Sequence, residues 1–314
     1  MKRSTRLITT IVIGLAAGIA CYFTLISRGW QAADFTFSWR AGQALLEREN
    51  PYQVIIPSGE YPLQTYFYYP LTSALAAIPF YWFYPELAGA VFFGLSSALM
   101  AYALTQDGYY RLPIFLSSPF WVALAVCQWS PLIFAASILP WLKWSLACKP
   151  NIGLAGFLYN PSWRGLLQIT LFLGLSLVIL PGWFMDWIGI TRGIEGHPPP
   201  IFLLPLGPLL LLSIFFWRKP EGRLLLALSV IPQLLFFYDQ ILIWLVPRSL
   251  RANLLFAGLS WVAYFGWKLF RTIPAIGEIF AQPAQFILAL IYIPALVMLF
   301  VYEKPLGLGM HKKD

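Results

Sequence analysis

Apolar runs long enough to cross a hydrocarbon layer recur along the whole chain, near 7–27, 86–105, 112–127, 130–147, 165–184, 201–217, 223–246, 252–270 and 284–302. A helix needs about 20 apolar residues to span roughly 30 Å of hydrocarbon. The pattern predicts an all-α, polytopic membrane protein, one integral membrane domain over 1–314, with about nine transmembrane helices and additional interfacial and re-entrant helices. Composition agrees. With 59% hydrophobic, 18% aromatic and only 11% charged residues, too little polar surface exists to coat a soluble globule. The net charge of +8 points to basic loops near anionic head groups rather than to a nucleic-acid surface.

Lys2, Arg3 and Arg6 precede the first run, which continues through Tyr22 to Ile26. A cleaved signal peptide has a shorter apolar core and a polar exit, so this helix is expected to stay, with its N-terminus in the cytoplasm. Cys21, Cys127 and Cys148 lie in or beside apolar runs without CxxC spacing and are expected to pack as small hydrophobes. Two further segments, 69–84 with its internal proline and the short 150–161, are read as re-entrant or interfacial. That topology puts Lys2, Arg3, Arg6, Arg111, Lys143, Lys149, Arg164, Arg218, Lys219, Arg223, Lys268 and Arg271 on the cytoplasmic side, twelve of the 21 Lys and Arg. Letting 69–84 cross reverses the ratio, against the positive-inside tendency.

The long polar loop 28–68 then faces the extracytoplasmic side. Within it Phe37, Ala41, Ala44 and Leu45 recur at helical spacing, away from most of Arg40, Gln43, Glu47 and Arg48, as in a helix lying in the interface. Asp34 stands where that helix begins. One reading makes it an N-cap, accepting backbone N–H bonds worth about 1 kcal/mol.

Another reading comes from a resemblance. "DFTFSWRAGQALLERENPYQ" (34–53) followed by "FYYPLTSALAAIPF" (67–80) is similar to the opening of membrane glycosyltransferases of the GT-C superfamily, and resembles most the polyprenyl-phosphate-mannose-dependent alpha-mannosyltransferases of glycosyltransferase family 87. The shared pieces are Asp-Phe after the first span, an Ala-Gly-x-Ala-Leu-Leu helix, Asn-Pro-Tyr, and an aromatic-Tyr-Pro segment. Gln128 with its small polar neighbours and "KPN" at 149–151 extend the likeness, which covers about residues 30–165. Leu71 stands where the family has a second proline, Glu49 where it has a glycine, and the chain is shorter than typical members. The resemblance implies sugar transfer, with mannose the commonest sugar, from a polyprenyl-phosphate donor to a lipid or glycan acceptor. It further implies inversion at the anomeric carbon, a bacterial plasma-membrane setting and an extracytoplasmic site with Asp34 as general base. No second carboxylate adjoins Asp34, so neither a DxD-type metal site nor a cofactor is expected.

Several other residues are assigned to substrate binding. Tyr69 belongs to the aromatic-Tyr-Pro segment, and Gln128 ends a span. Asp239 lies inside an apolar run, where acids are costly and functional by default. His197, in "IEGHPPP", is expected on the Asp34 side. Arg248 and Arg251, in "VPRSLRAN", are expected at an outer helix N-terminus, where two guanidinium groups and free N–H groups suit a phosphate. Head-group anchoring is the plainer account of that pair. Two rival functions stand beside the enzyme. A transporter calls for internal repeats, which are not visible here. An inactive GT-C-like accessory or scaffold subunit of a larger membrane complex fits the short chain, because a fold does not guarantee its chemistry.

Overall fold

The computed structural model describes residues 3–27, 29, 33–59, 62–192, 197–270 and 283–302, and every regular element among them is helical. Helix α1 (Arg3–Ser27) leads to α2 (Ala33–Leu46), a short α3 (Pro51–Val54), α4 (Leu71–Ala77) and α5 (Pro85–Leu104). Helices α1 and α5 are antiparallel: the Tyr22 and Tyr84 hydroxyls meet at 2.7 Å at one end, and Arg6 donates to the Tyr102 carbonyl at 2.7 Å at the other. Small residues let the two backbones touch. A Cβ built on Gly94 would lie 2.9 Å from the Gly14 carbonyl oxygen. Gly94→Leu is therefore expected to destabilise the protein by about 1–3 kcal/mol through overpacking. Gly174, with nothing within 4 Å of a built Cβ, should accept leucine freely in the same thermal-unfolding measurement in detergent.

Helix α2 follows the expected amphipathic pattern, but it is packed into the protein. Phe35, Ser38, Ala41 and Ala44 are fully buried, and Gly42 sits against the Ala74 carbonyl of α4. Segment 69–84 folds as α4 and one 3₁₀ turn (Ile78–Phe80), too short to cross. Its two ends stay near the C-terminal end of α1 and the N-terminal end of α2, where Tyr84 meets Tyr22 and Tyr69 meets Asp34.

Among the described residues three helices are long and apolar enough to cross a membrane, namely α1, α5 and Ala284–Tyr302; the pair Trp163–Ile179 and Trp183–Thr191, bent by 100°, makes a fourth if counted as one span. Four other expected spans are broken. Run 112–127 becomes a 3₁₀ stretch (Leu112–Leu116) and α6 (Ser118–Ala125). Run 130–147 becomes α7 (Ser130–Ile138) and a 3₁₀ stretch (Pro140–Cys148). In 201–217 the regular part is a 3₁₀ stretch, Gly207–Phe216. Run 223–246 splits into α11 (Pro220–Val230), after the intervening α8 (Pro150–Tyr159), α9 (Trp163–Ile179) and α10 (Trp183–Thr191), and a 3₁₀ stretch, Tyr238–Leu245. Prolines 113, 119, 131, 140, 205, 208 and 232 stand at or near these breaks; each lacks an N–H and clashes with the preceding turn.

Two of these runs fold back on themselves. After α7 the chain reverses, so Lys149 returns to Gln128 at 2.9 Å rather than emerging at the opposite end. Lys143, deep in this hairpin, donates to the Ser137 carbonyl at 3.0 Å, satisfying a group at the C-terminus of α7. Run 223–246 turns at 231–237, and its end returns to its start, with Arg248 and Glu221 paired at 3.0 Å. Segment 150–161, read as re-entrant or interfacial, forms the ten-residue α8, which leads from Lys149 to Tyr159, where Arg223 donates to the Leu158 and Tyr159 carbonyls.

Helix α9 returns to the Asp34 end and α10 lies across it. There Trp183 joins Tyr52, Ile55, Leu63, Phe67 and Leu71 in a small core beneath the polar loop. Helix α12 (Leu250–Phe270) packs along Tyr238–Leu245, with Phe256 against Trp244 and Trp267 against Phe237, and α13 (Ala284–Tyr302) completes the main core. The three cysteines are free and buried, as small hydrophobes are.

Candidate functional site

Four backbone devices bring charged and polar side chains together at one level of this core. The first is the start of α2. Asp34 lies within the first turn, its N–H donates to the Val126 carbonyl at 3.1 Å, and its Oδ1 accepts the Tyr69 hydroxyl at 2.8 Å. The carboxylate thus faces a side chain of another segment.

The second device ends α6. Gln128 N–H bonds to the Ala123 carbonyl and Cys127 N–H to that of Leu124, with Cys127 left-handed at φ 51°: a Schellman motif without its usual glycine. It presents Gln128, whose Oε1 accepts from Lys149. Helix α2 ends alike, with Arg48 left-handed at φ 64°, so the positive φ falls one residue before Glu49. The third device is the Lys149–Pro150 junction, where Lys149 lies outside the α region at φ −143° and ψ 78°, as a residue before proline does; it starts α8 and releases the lysine side chain inward.

The fourth is a γ-turn. Phe237 has φ 69° and ψ −56°, and Tyr238 N–H bonds back to the Phe236 carbonyl at 2.9 Å. This conformation is rare and strained for any residue with a side chain, and such strain collects where function over-determines the backbone. The turn delivers Tyr238 and Asp239.

The assembled group is densely bonded. Lys149 Nζ lies 2.7 Å from Asp239 Oδ1, and 4.8 Å from the centre of the Tyr238 ring. Ser130 Oγ also donates to Asp239 Oδ1, at 2.9 Å. Asp239 is 1% exposed and Lys149 8%, so this is a buried ion pair. Burial pushes the Asp34 carboxyl up to about 6, against the attraction of Lys149 and the Tyr69 hydrogen bond, while the negative charge of Asp239 adds to the rise. Trp129 packs against Phe35 and Tyr69, the aromatic neighbours of Asp34.

The loop motif acts from outside this group. Asn50 caps α3 through the Tyr52 N–H at 3.0 Å and donates to Asp186 of α10 at 2.8 Å, while the Tyr52 hydroxyl donates to the Tyr69 carbonyl at 3.0 Å. Asn-Pro-Tyr therefore fixes the segment that carries Tyr69.

Asp34, Tyr69, Gln128 and Asp239, singled out in the sequence, thus converge. Arg248 and Arg251 do not. Arg248 is bound to Glu221, and the 3₁₀ stretch Tyr238–Leu245, at roughly 2 Å per residue, takes the chain about 12 Å from the level of Asp239 before Arg248 is reached. Arg251 is exposed one turn further on. The reason is the hairpin at 231–237, which turns an expected crossing back. His197 is partly buried in the irregular segment after α10. Sequence reasoning missed Lys149, Tyr238 and Ser130 as members. A lysine bordered by apolar runs on both sides was the available signal for the first.

No protein-family model, curated protein or solved structure matches this chain.

Proposed function

We propose that the chain is a membrane glycosyltransferase of GT-C type, moving a sugar from a polyprenyl-phosphate donor to a hydroxyl acceptor, with Asp34 as general base. One observation carries the reading: Asp34, Tyr69, Gln128 and Lys149, each from a motif segment on which the family resemblance rests, meet as one polar group inside an apolar core. The acceptor oxygen attacks the anomeric carbon as the bond from that carbon to the phosphate oxygen breaks. The acceptor proton passes to Asp34, and the electron pair leaves on the polyprenyl phosphate. Attack opposite the leaving group inverts the centre. A lipid phosphate leaves readily, so the protein has only to position the acceptor, take one proton and offset charge on the phosphate.

The charge distribution supports an extracytoplasmic site in a multi-pass protein of the plasma membrane. Arg6, Arg111, Arg223, Arg248 and Arg251 gather at the end opposite Asp34, with Arg218 and Lys219 beside them, against Arg40, Arg48, Arg192 and Lys268 at the Asp34 end. Lys2 and Arg271 lie outside the described residues. By the positive-inside tendency the Asp34 end faces out. A cysteine replacing Ser58 in a cysteine-free background should react with an impermeant thiol reagent added outside, and one replacing Arg251 should not. Outside labelling of Arg251→Cys alone would reverse the orientation.

Asp34 must be ionised to accept a proton, so transfer should rise with pH through about 6 in the free enzyme. The Tyr69 hydroxyl favours the ionised form. Tyr69→Phe is accordingly expected to shift this acid limb to higher pH, read from the pH dependence of kcat/KM; an unmoved limb would sever Tyr69 from Asp34. Transfer from a radiolabelled lipid-phosphate sugar in purified membranes tests the reading itself. Stoichiometric co-purification with other membrane subunits, without transfer, would instead identify an accessory subunit.

A further inference from the structure

Resting on this reading, we infer that Lys149 is the cation that takes the donor phosphate and that Asp239 is an internal anion which the phosphate displaces. Lys149 is bonded to Gln128, whose neighbour Trp129 packs against Tyr69, the residue that donates to Asp34, the proposed base. It is thus placed where a leaving phosphate needs its charge offset. The expected alternative, Arg248 with Arg251, lies towards the other end of the core.

The resting state of Lys149 shows what such a phosphate meets. Its ammonium group is held by Asp239 Oδ1 at 2.7 Å and by Gln128 Oε1 at 2.9 Å, with the Tyr238 ring face 4.8 Å away. These three contacts surround a buried cation, and two of them are made to oxygen atoms, as a phosphate would make them. A singly charged phosphodiester offers the same acceptor type as the Asp239 carboxylate. Exchange keeps Lys149 paired, and the displaced Asp239 carboxylate keeps the Ser130 hydrogen bond at 2.9 Å.

The carboxylate stays nearby after exchange, and that sets the sign of the test. With Asp34 and Asp239 both ionised, an arriving phosphate makes three anions around one cation. Removing the charge of Asp239 leaves two. At an effective dielectric near 20 and several ångströms, one like charge is worth roughly a tenfold or larger change in affinity. A residue that held the sugar or merely positioned Lys149 would do the opposite, and its loss would weaken binding.

The probe is a short-chain prenyl phosphate, compared with its parent alcohol, binding to the full chain in detergent. Asp239→Asn should bind the phosphate about tenfold more tightly than wild type, with the alcohol unchanged. The double variant Lys149→Gln/Asp239→Asn has no unpaired charge and keeps similar side-chain shapes; it should fold and bind the phosphate at least tenfold more weakly than wild type. Should Asp239→Asn fail to fold alone, the double variant against wild type decides, and equal phosphate binding by the two overturns the inference. Equal or weaker binding by a folded Asp239→Asn also overturns it, while wild-type transfer, if present, leaves the glycosyltransferase reading standing. A wild type that neither transfers sugar nor distinguishes phosphate from alcohol removes both.

Discussion

Asp34→Asn is expected to leave a folded protein that transfers sugar about 10²- to 10⁴-fold more slowly, the range a positioned general base contributes. Asparagine matches aspartate in size and can still accept the Tyr69 hydroxyl bond seen at 2.8 Å, but it cannot take a proton. Stability gives the control. The Asp34 carboxyl is raised from 3.8 to about 6 by burial, so the folded state holds its proton more tightly than the unfolded chain does. The stabilisation from the protonated form is fully present below pH 4 and is lost as pH rises through about 6. Asparagine cannot ionise and escapes that loss, so the variant should be no less stable than wild type at pH 7. Thermal unfolding in detergent and single-turnover transfer, measured on one preparation, check both halves. Transfer at near wild-type rate would move the base elsewhere, and loss of fold would make Asp34 a structural residue.

Lys149→Gln is expected to cost about 3–5 kcal/mol of stability, because it strands Asp239 as an uncompensated charge in the core. Asp239 is 1% exposed and has Ser130 as its other hydrogen-bond donor. Adding Asp239→Asn to the lysine change should recover most of that loss, since a buried pair replaced as a pair forfeits both attraction and desolvation cost. Unfolding of the two single variants and the double variant gives the coupling energy directly. If the double variant is as unstable as the lysine variant alone, the ion pair is not what Lys149 contributes. The result also bounds the anion-exchange proposal, because a site whose cation is costly to leave unpaired needs a resident anion.

Much of this protein is written in local pattern. Apolar content made it a helical protein with helices apolar enough to cross a membrane, the spacing of Phe37, Ala41, Ala44 and Leu45 marked α2, and the brevity of 69–84 kept that segment at one end. Asp34, Tyr69 and Gln128 stood out through the motif resemblance of their segments, and Asp239 because an acid among apolar neighbours needs a partner or a task. Which groups become partners was not local. Hydropathy counts a run as one crossing whether or not its chain reverses midway, and proline at 140 or 232 permits a reversal without requiring it. Tertiary packing made that choice: the two hairpins it selected carried Lys149 to Asp239 and Gln128, and returned Arg248 to Glu221. The physical reason is that apolar burial is nearly indifferent to chain direction, whereas a buried charge is tolerated only where the packed chain meets it with an opposite charge or hydrogen-bond partners.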